Sequence, residues 1–315
     1  MSENKVPPAA PDAAPAAAPP TRCGFVALIG APNAGKSTLV NALVGAKVAI
    51  VTHKVQTTRA VVRGIAITGG AQIVLVDTPG IFAPKRRLDR AMVKTAWASA
   101  YDADVVALLI DARRGLNEET EAILEELTQV RLPKVLLLTK IDLMERSDLL
   151  ALSARANEVT RFDATFMISA LKGDGVDDVR KHFAANVPEG PWLYPEDQIS
   201  DVPQRQLAAE ITREQLMLRL HDELPYRTTV ETETWKTLRD GSARIEQVVY
   251  VEREGHKKIV LGEKGRTIRS ISMAARDVIA EMVGTSVHLF LFVKVRSRWA
   301  DDPERYREMG LDFSQ

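Results

Sequence analysis

Between positions 30 and 38 the chain reads Gly30-Ala31-Pro32-Asn33-Ala34-Gly35-Lys36-Ser37-Thr38, a spacing suited to gripping a polyphosphate. The glycines let consecutive backbone N–H groups turn inward around anionic oxygens, Lys36 neutralises the outer phosphates, and the Ser37 hydroxyl is placed to ligate Mg²⁺. Further along, Asp77-Thr78-Pro79-Gly80 offers a carboxylate for a Mg²⁺-bound water and a glycine N–H that can meet a γ-phosphate. Between these two motifs lies Val55-Gln56-Thr57-Thr58-Arg59, where a threonine can fold over the metal and the γ-phosphate. Thr58 is the choice for that role, with Thr57 as the alternative.

These groups can cooperate only if regular elements hold them at one edge. Short apolar runs at 25–29, 61–67, 73–76, 105–110, 135–138 and 166–168 alternate with amphipathic stretches, the pattern of a mostly parallel sheet wrapped by helices. After the loop, Leu39, Val40, Leu43 and Val44 recur at helical spacing and Gly45 stands where a helix would stop. Polar motifs follow most of the apolar runs, and ligands on such sheets bind at the carboxyl ends of strands. A length of 315 residues favours two domains, and a formal net charge of zero means that any nucleic-acid site must be a local patch. The single cysteine, Cys23, excludes an intrachain disulfide and fits a reducing compartment. The first twenty residues are mostly Ala and Pro, unlike a signal or transit peptide, and read as a disordered tail. No apolar stretch approaches the roughly 18 to 20 residues that span a bilayer, so a cytoplasmic protein is expected.

Two later motifs narrow the nucleotide. Thr139-Lys140-Ile141-Asp142 resembles the Asn-Lys-x-Asp signature of GTPases, and Ser169-Ala170-Leu171 follows the next apolar run. The resemblance implies that Asp142 pairs with the guanine N1 and exocyclic amine, and that the Ser169-Ala170 backbone meets the guanine O6. Thr139 departs from the signature: it is shorter than asparagine and lacks the amide donor, so a weaker tie to the phosphate loop is expected. Ile81 stands where many small GTPases carry a water-orienting glutamine. Asn33 occupies the place where several GTPases lacking that glutamine use an asparagine oxygen to hold K⁺, which would stabilise negative charge as an arginine finger does.

Beyond Pro188-Glu189-Gly190-Pro191-Trp192 the pattern changes. Leu207, Ile211, Leu216 and Leu220 mark a helix; 228–235 and 243–251 alternate in strand fashion about Asp240-Gly241; and 287–295 makes a last strand. Before it, Gly262-Glu263-Lys264-Gly265 precedes an amphipathic helix carrying Ile268, Ile271, Ala275, Val278, Ile279 and Met282. A helix, Gly-x-x-Gly, helix arrangement beside strands resembles a KH domain, whose loop clamps a nucleotide backbone because the glycines permit close approach. Ten Lys or Arg against four acids between positions 253 and 298 make this region a basic patch in a neutral chain. The RNA contacts expected are the loop itself with Lys258, Arg266 and Arg269.

Taken together, these stretches, with Glu223-Leu224-Pro225-Tyr226, Val251-Glu252-Arg253-Glu254-Gly255, Val293-Lys294-Val295-Arg296 and Trp299-Ala300-Asp301-Asp302, resemble the Era family of bacterial GTPases over roughly residues 22–311. The fold class expected is α/β: a P-loop GTPase domain with a mostly parallel six-stranded sheet, followed by a smaller α+β KH domain of type II. The division expected is a tail at 1–21, the GTPase domain at 22–187, a linker at 188–203, and the KH domain with its C-terminal tail at 204–315. The resemblance implies GTP hydrolysis by in-line attack of water, with Lys36, Thr58, Asn33 and the Gly80 backbone as catalytic groups. It implies Mg²⁺ on Ser37, Thr58 and Asp77, and K⁺ stimulation. It also implies a monomer that binds the 3′ end of 16S ribosomal RNA, a role in maturing the 30S subunit, and a peripheral association with the inner membrane. An assembly factor with GTP as a structural ligand and an RNA-modifying enzyme are the rival readings; the second lacks a catalytic cluster, since His53, His182, His221, His256 and His288 are scattered.

Overall fold

The computed structural model describes residues 20–313 apart from 298, 300 and 301. The expected tail therefore lies almost wholly outside the described residues, as do Ala300 and Asp301 of the Trp299-to-Asp302 stretch. Six strands, β1 (Arg22–Ile29), β2 (Val62–Thr68), β3 (Ala71–Asp77), β4 (Val105–Asp111), β5 (Lys134–Thr139) and β6 (Ala164–Ile168), form one sheet in the order β2-β3-β1-β4-β5-β6. All neighbours are parallel except β2, which returns antiparallel onto β3 across the tight turn at Gly69 and Gly70. Strands β3 and β4 are buried along their whole length, as expected of interior strands covered on both faces.

Helices α1 (Lys36–Val44) and α5 (Val176–Asn186) cover one face, where Leu39, Val40, Leu43, Val179 and Phe183 meet Val26, Leu28 and Leu75. Helices α2 (Arg87–Tyr101), α3 (Glu118–Leu127) and α4 (Arg146–Val159) cover the other, with Ala96, Ile123, Leu124 and Leu152 packed on Leu108, Leu136 and Leu138. The phosphate loop, the Asp77-to-Gly80 turn and the Thr139-to-Asp142 motif lie at or just beyond the carboxyl ends of β1, β3 and β5, whereas residues 55–59 lead into the amino end of β2.

Residues 188–203 are fastened along the sheet. The Cys23 N–H donates to the Pro188 carbonyl at 3.0 Å, and the Ile65 N–H to the Ile199 carbonyl at 2.9 Å. Fully buried Gln72 accepts at Oε1 from the backbone N–H groups of Leu193 and Tyr194 at 2.9 and 3.0 Å, and donates to the Tyr194 carbonyl at 2.8 Å. Proline content marks a connection but carries no information about such bonds.

The second unit comprises α6 (Gln204–Arg219), β7 (Thr228–Thr237), β8 (Ala243–Val251), α7 (Glu254–Leu261), α8 (Arg266–Val283) and β9 (Val287–Val295). Its sheet runs β7-β8-β9; β7 and β8 form an antiparallel hairpin, while β9 joins parallel to β8 after the α7–α8 crossover that a parallel partner requires. Helices α6 and α8 bury Leu207, Ile211, Ala275 and Ile279 against Ile245 and Val287. A short helix α9 (Pro303–Glu308) then returns to the first unit, where Tyr306 and Leu311 pack on Leu88, Ala91 and Met92 of α2.

Replacing Gln72 with Leu removes the strap's buried partner and leaves the Leu193 and Tyr194 N–H groups unpaired. A loss of about 1–3 kcal/mol in unfolding free energy is expected by chemical denaturation; an unchanged midpoint would show that the strap is held elsewhere.

Candidate functional site

The phosphate loop owes its path to two close approaches. A Cβ on Gly30, where φ is +149°, would stand 2.4 Å from the Leu109 carbonyl, and one on Gly80 would meet the Pro32 backbone at 2.9 Å. The Asp77-to-Gly80 turn thus lies directly on the loop, and the Ile81 N–H donates to the Gly30 carbonyl at 3.1 Å. The Ile81 side chain is buried in the α2–α3 core, so the position usual for a water-orienting glutamine is used for packing.

Lys36 opens α1 and is buried. Its ammonium donates to the Gly30 and Ala31 carbonyls at 3.0 and 3.1 Å, and burial pulls its pKa down to about 8 against the opposing pull of Asp77. Parallel register between β1 and β3 sets Asp77 opposite Leu28. Burial pushes the Asp77 carboxyl up to about 6, offset by hydrogen bonds from Ser37 and Thr58 and by the charge of Lys36. The Ser37 hydroxyl donates to Asp77 Oδ2 at 2.6 Å and lies 2.9 Å from the Thr58 hydroxyl; Asp77 Oδ1 is buried with no hydrogen-bond partner. Of the two threonines, Thr58 is the one at the carboxylate. The Thr57 hydroxyl instead donates to the Lys54 carbonyl at 2.7 Å, close to Thr52 Oγ1.

Lys36, Ser37, Thr57 and Thr58 border a cavity of about 440 Å³ between the phosphate loop and residues 50–58, whereas Asp77 is fully buried beside it. Asn33 adopts φ of +64°, and its amide nitrogen donates to the His53 carbonyl at 2.9 Å, which ties the loop to the facing segment. Asp111, Arg113 and Arg114, which sequence reasoning passed over, line the same cavity. Asp111 accepts from the Lys140 ammonium at 2.6 Å and pairs with Arg113 at 3.0 Å; a carboxylate at the end of β4 was the signal available. Arg114 donates to the Pro32 carbonyl at 3.4 Å.

Beyond the cavity, Asp142 lies in a single helical turn, and its carboxyl is held below the usual range first by the Ser169 hydroxyl and then by Lys172 at 3.6 Å. The Ser169 N–H is taken by the Asp174 carbonyl at 3.0 Å, so the main-chain donors that this motif can offer a base begin at Ala170 and Leu171. The weak tie expected of Thr139 is corrected: its hydroxyl donates to the Ala34 carbonyl at 2.7 Å, and Lys140 donates to the Asn33 carbonyl at the same distance. The threonine reaches the loop because β5 runs close under it, within 4 Å of where a Gly35 Cβ would lie.

In the second unit, Gly262 and Gly265 have φ of +72° and +76°, and Lys264 between them also has positive φ. A Cβ on Gly262 would collide with the Thr267 side chain, so the loop folds tightly onto the first turn of α8, which has no side-chain cap. Lys258, Lys264, Arg266 and Arg269 are exposed around it, and Glu263 pairs with Arg266.

A phosphate loop opening α1, a carboxylate and a threonine facing it, and a base-reading turn after β5 define a P-loop GTPase joined to a KH domain. Family models agree: the description "50S ribosome-binding GTPase" matches residues 25–140 and "KH domain" matches residues 223–300. Similarity extends over the whole: the chain is 67% identical to the GTPase Era of Afipia carboxidovorans over 93% of its length and 96% of that protein's, and 67% identical to that of Rhizobium meliloti over 95% of both. It also superposes, with a TM-score of 0.87 and 36% identity over 92% of this chain and 99% of the other, on a crystal structure of Era in complex with MgGDPNP and nucleotides 1506–1542 of 16S ribosomal RNA. The chain belongs to the Era family of GTPases. Among the described residues no helix is long and apolar enough to cross a membrane.

Thr139→Val keeps the shape of the site and removes the hydroxyl bond to Ala34. GDP affinity by calorimetry should fall about fivefold, the worth of one such bond; unchanged affinity would show that Lys140 alone carries the tie.

Proposed function

We propose that this protein hydrolyses GTP and couples its nucleotide state to the binding of the 3′ end of 16S ribosomal RNA during maturation of the 30S subunit. The observation that carries the reading is the convergence of Lys36, Ser37 and Thr58 on one cavity, with buried Asp77 hydrogen-bonded to both hydroxyls, in a chain two-thirds identical to Era GTPases. Division at residues 188–203 into a GTPase unit and an RNA-binding unit accompanies it, as does action as a cytoplasmic monomer with peripheral contact to the inner membrane.

In this reading the N–H groups of the phosphate loop and Gly80 hold the phosphate oxygens, and Lys36 exchanges its loop carbonyls for the outer phosphates. The unpaired Asp77 Oδ1 beside two hydroxyls suits a hard cation. Ser37, Thr58 and Asp77 would hold Mg²⁺, which when bound supplies charge against the phosphates. The Asn33 amide oxygen would take K⁺, adding positive charge where Ile81 offers no hydrogen bond. Asp142 would select guanine, with Ala170 and Leu171 donating to its carbonyl.

Hydrolysis should run faster in K⁺ than in Na⁺ at equal ionic strength, and Asn33→Ala should erase most of that difference; equal rates in both salts would transfer the role to an arginine. For the RNA half, Lys264→Glu combined with Arg269→Glu changes two exposed side chains and spares the strained Gly262. Affinity for single-stranded 16S 3′-end RNA should fall, and the salt dependence should lose about 0.7 per lost phosphate contact, with GTP hydrolysis unaffected. Undiminished RNA binding by the double variant would remove the loop from the RNA site.

A further inference from the structure

Two adjacent residues on α6, Arg213 and Glu214, are buried at 1% and 4% exposure although both carry charge. Residues of this type stay buried only when paired, and what pairs them here belongs largely to the other unit. The Arg213 guanidinium donates to the Thr57 carbonyl, and its Nε donates to Glu210 at 2.8 Å. Glu214 Oε1 accepts from the Val51 N–H and from the Lys47 ammonium, both at 2.8 Å. Lys54 donates to the Leu220 carbonyl at the end of the same helix. Beyond Thr58 the chain is anchored again, because buried Arg59 donates to the Thr228 and Tyr226 carbonyls at 2.9 and 3.2 Å and lies over the Trp299 ring. The threonine at the Asp77 carboxylate is therefore flanked on both sides by residues fixed to the KH unit, whereas its own contacts to the nucleotide unit are two hydroxyl bonds.

We infer that Arg213 and Glu214 are positioning residues of the nucleotide site, which hold residues 47–59 so that Thr58 reaches Ser37 and Asp77. This rests on the GTPase reading above and names how that site is completed. A helix of the RNA-binding unit then backs residues 50–58, the outer wall of the nucleotide site, and a shift of α6 is passed to Thr58 through the Thr57 carbonyl. Burial and the neighbouring Arg213 disfavour the charge on Arg59, while Glu210 and Asp89 favour it. Glu210 thus lets two guanidinium groups share one interface, and the clamp is a charge-balanced set whose removal one member at a time is costly.

The test uses the full chain with Arg213→Met, which keeps the bulk of the arginine stem. Amide hydrogen exchange of the nucleotide-free protein should quicken about tenfold across 47–59, with the β1, β3 and β4 amides unchanged. Single-turnover GTP hydrolysis should slow by about tenfold to a hundredfold. GDP affinity, which needs no Thr58, should stay within about twofold. Thr58→Ala added to Arg213→Met should cost little more than Thr58→Ala alone, because both act through one hydroxyl, and Arg213→Lys should restore part of the rate. Wild-type exchange across 47–59, or losses that add in full, would overturn the inference. Should Arg213→Met not fold, Glu214→Gln decides by the same exchange measurement: it keeps an acceptor for Val51 but loses the ion pair with Lys47, and unchanged protection would overturn the inference equally. A wild-type protein that failed to hydrolyse GTP would instead sink the functional reading, leaving the exchange result to stand alone.

Discussion

Two opposite charges, Lys36 and Asp77, are buried at the carboxyl edge of the central sheet, where desolvation disfavours both. Burial pulls the lysine down to about 8 and pushes the aspartate up to about 6, so each charge is costly where it stands. The lysine borrows two loop carbonyls and the aspartate two hydroxyls, and one carboxylate oxygen is left with nothing. A polyphosphate with a cation completes both sets at once. The sheet register that aligns Leu28 with Asp77, the glycines that let Gly80 touch Pro32, and the tie from Thr139 to Ala34 all hold that arrangement in place.

The units are also more deeply joined than a linker would make them. Residues 188–203 are bonded strand-like to Cys23, Ile65 and Gln72, and the C-terminal segment packs Tyr306 and Leu311 onto α2. Residues 47–59 are held between Ser37 and Asp77 on one side and α6 on the other. Motion of one unit relative to the other must break bonds to the segments that follow the phosphate loop and the Asp77 turn. Buried ionic contacts of this kind are costly to break singly, which gives such an interface discrete arrangements in place of a continuous drift.

Nucleotide and RNA chemistry are separated in space for a related reason. The phosphate loop encloses one buried lysine, whereas exposed Lys258, Lys264, Arg266 and Arg269 stand in and around the Gly262–Gly265 loop. Enclosure suits a small ligand held for chemistry; an open, basic surface suits a long strand whose affinity comes from released counterions.

Much of the fold and site was legible in the residues alone. Apolar periodicity and spacing were enough to place the six strands, the phosphate loop and Asp77, while Asp142 and the Gly262–Gly265 loop were marked by resemblance to known motifs. The resemblance to Era rested on the same local stretches. What the chain could not show is chemistry made by residues distant in sequence: the choice of Thr58 over Thr57, the bond by which Thr139 replaces an asparagine, Asp111 beside Lys140, and the pairing of Arg213 and Glu214 with residues 47–59. Each depends on one element arriving beside another more than fifteen residues away, and a hydrogen bond of that kind leaves no periodicity. Local sequence determined which groups were present and which strand end carried them; packing of β5 under the loop and of α6 against residues 47–59 decided which groups meet, because a polar side chain finds its partner only after the apolar faces beneath it have closed.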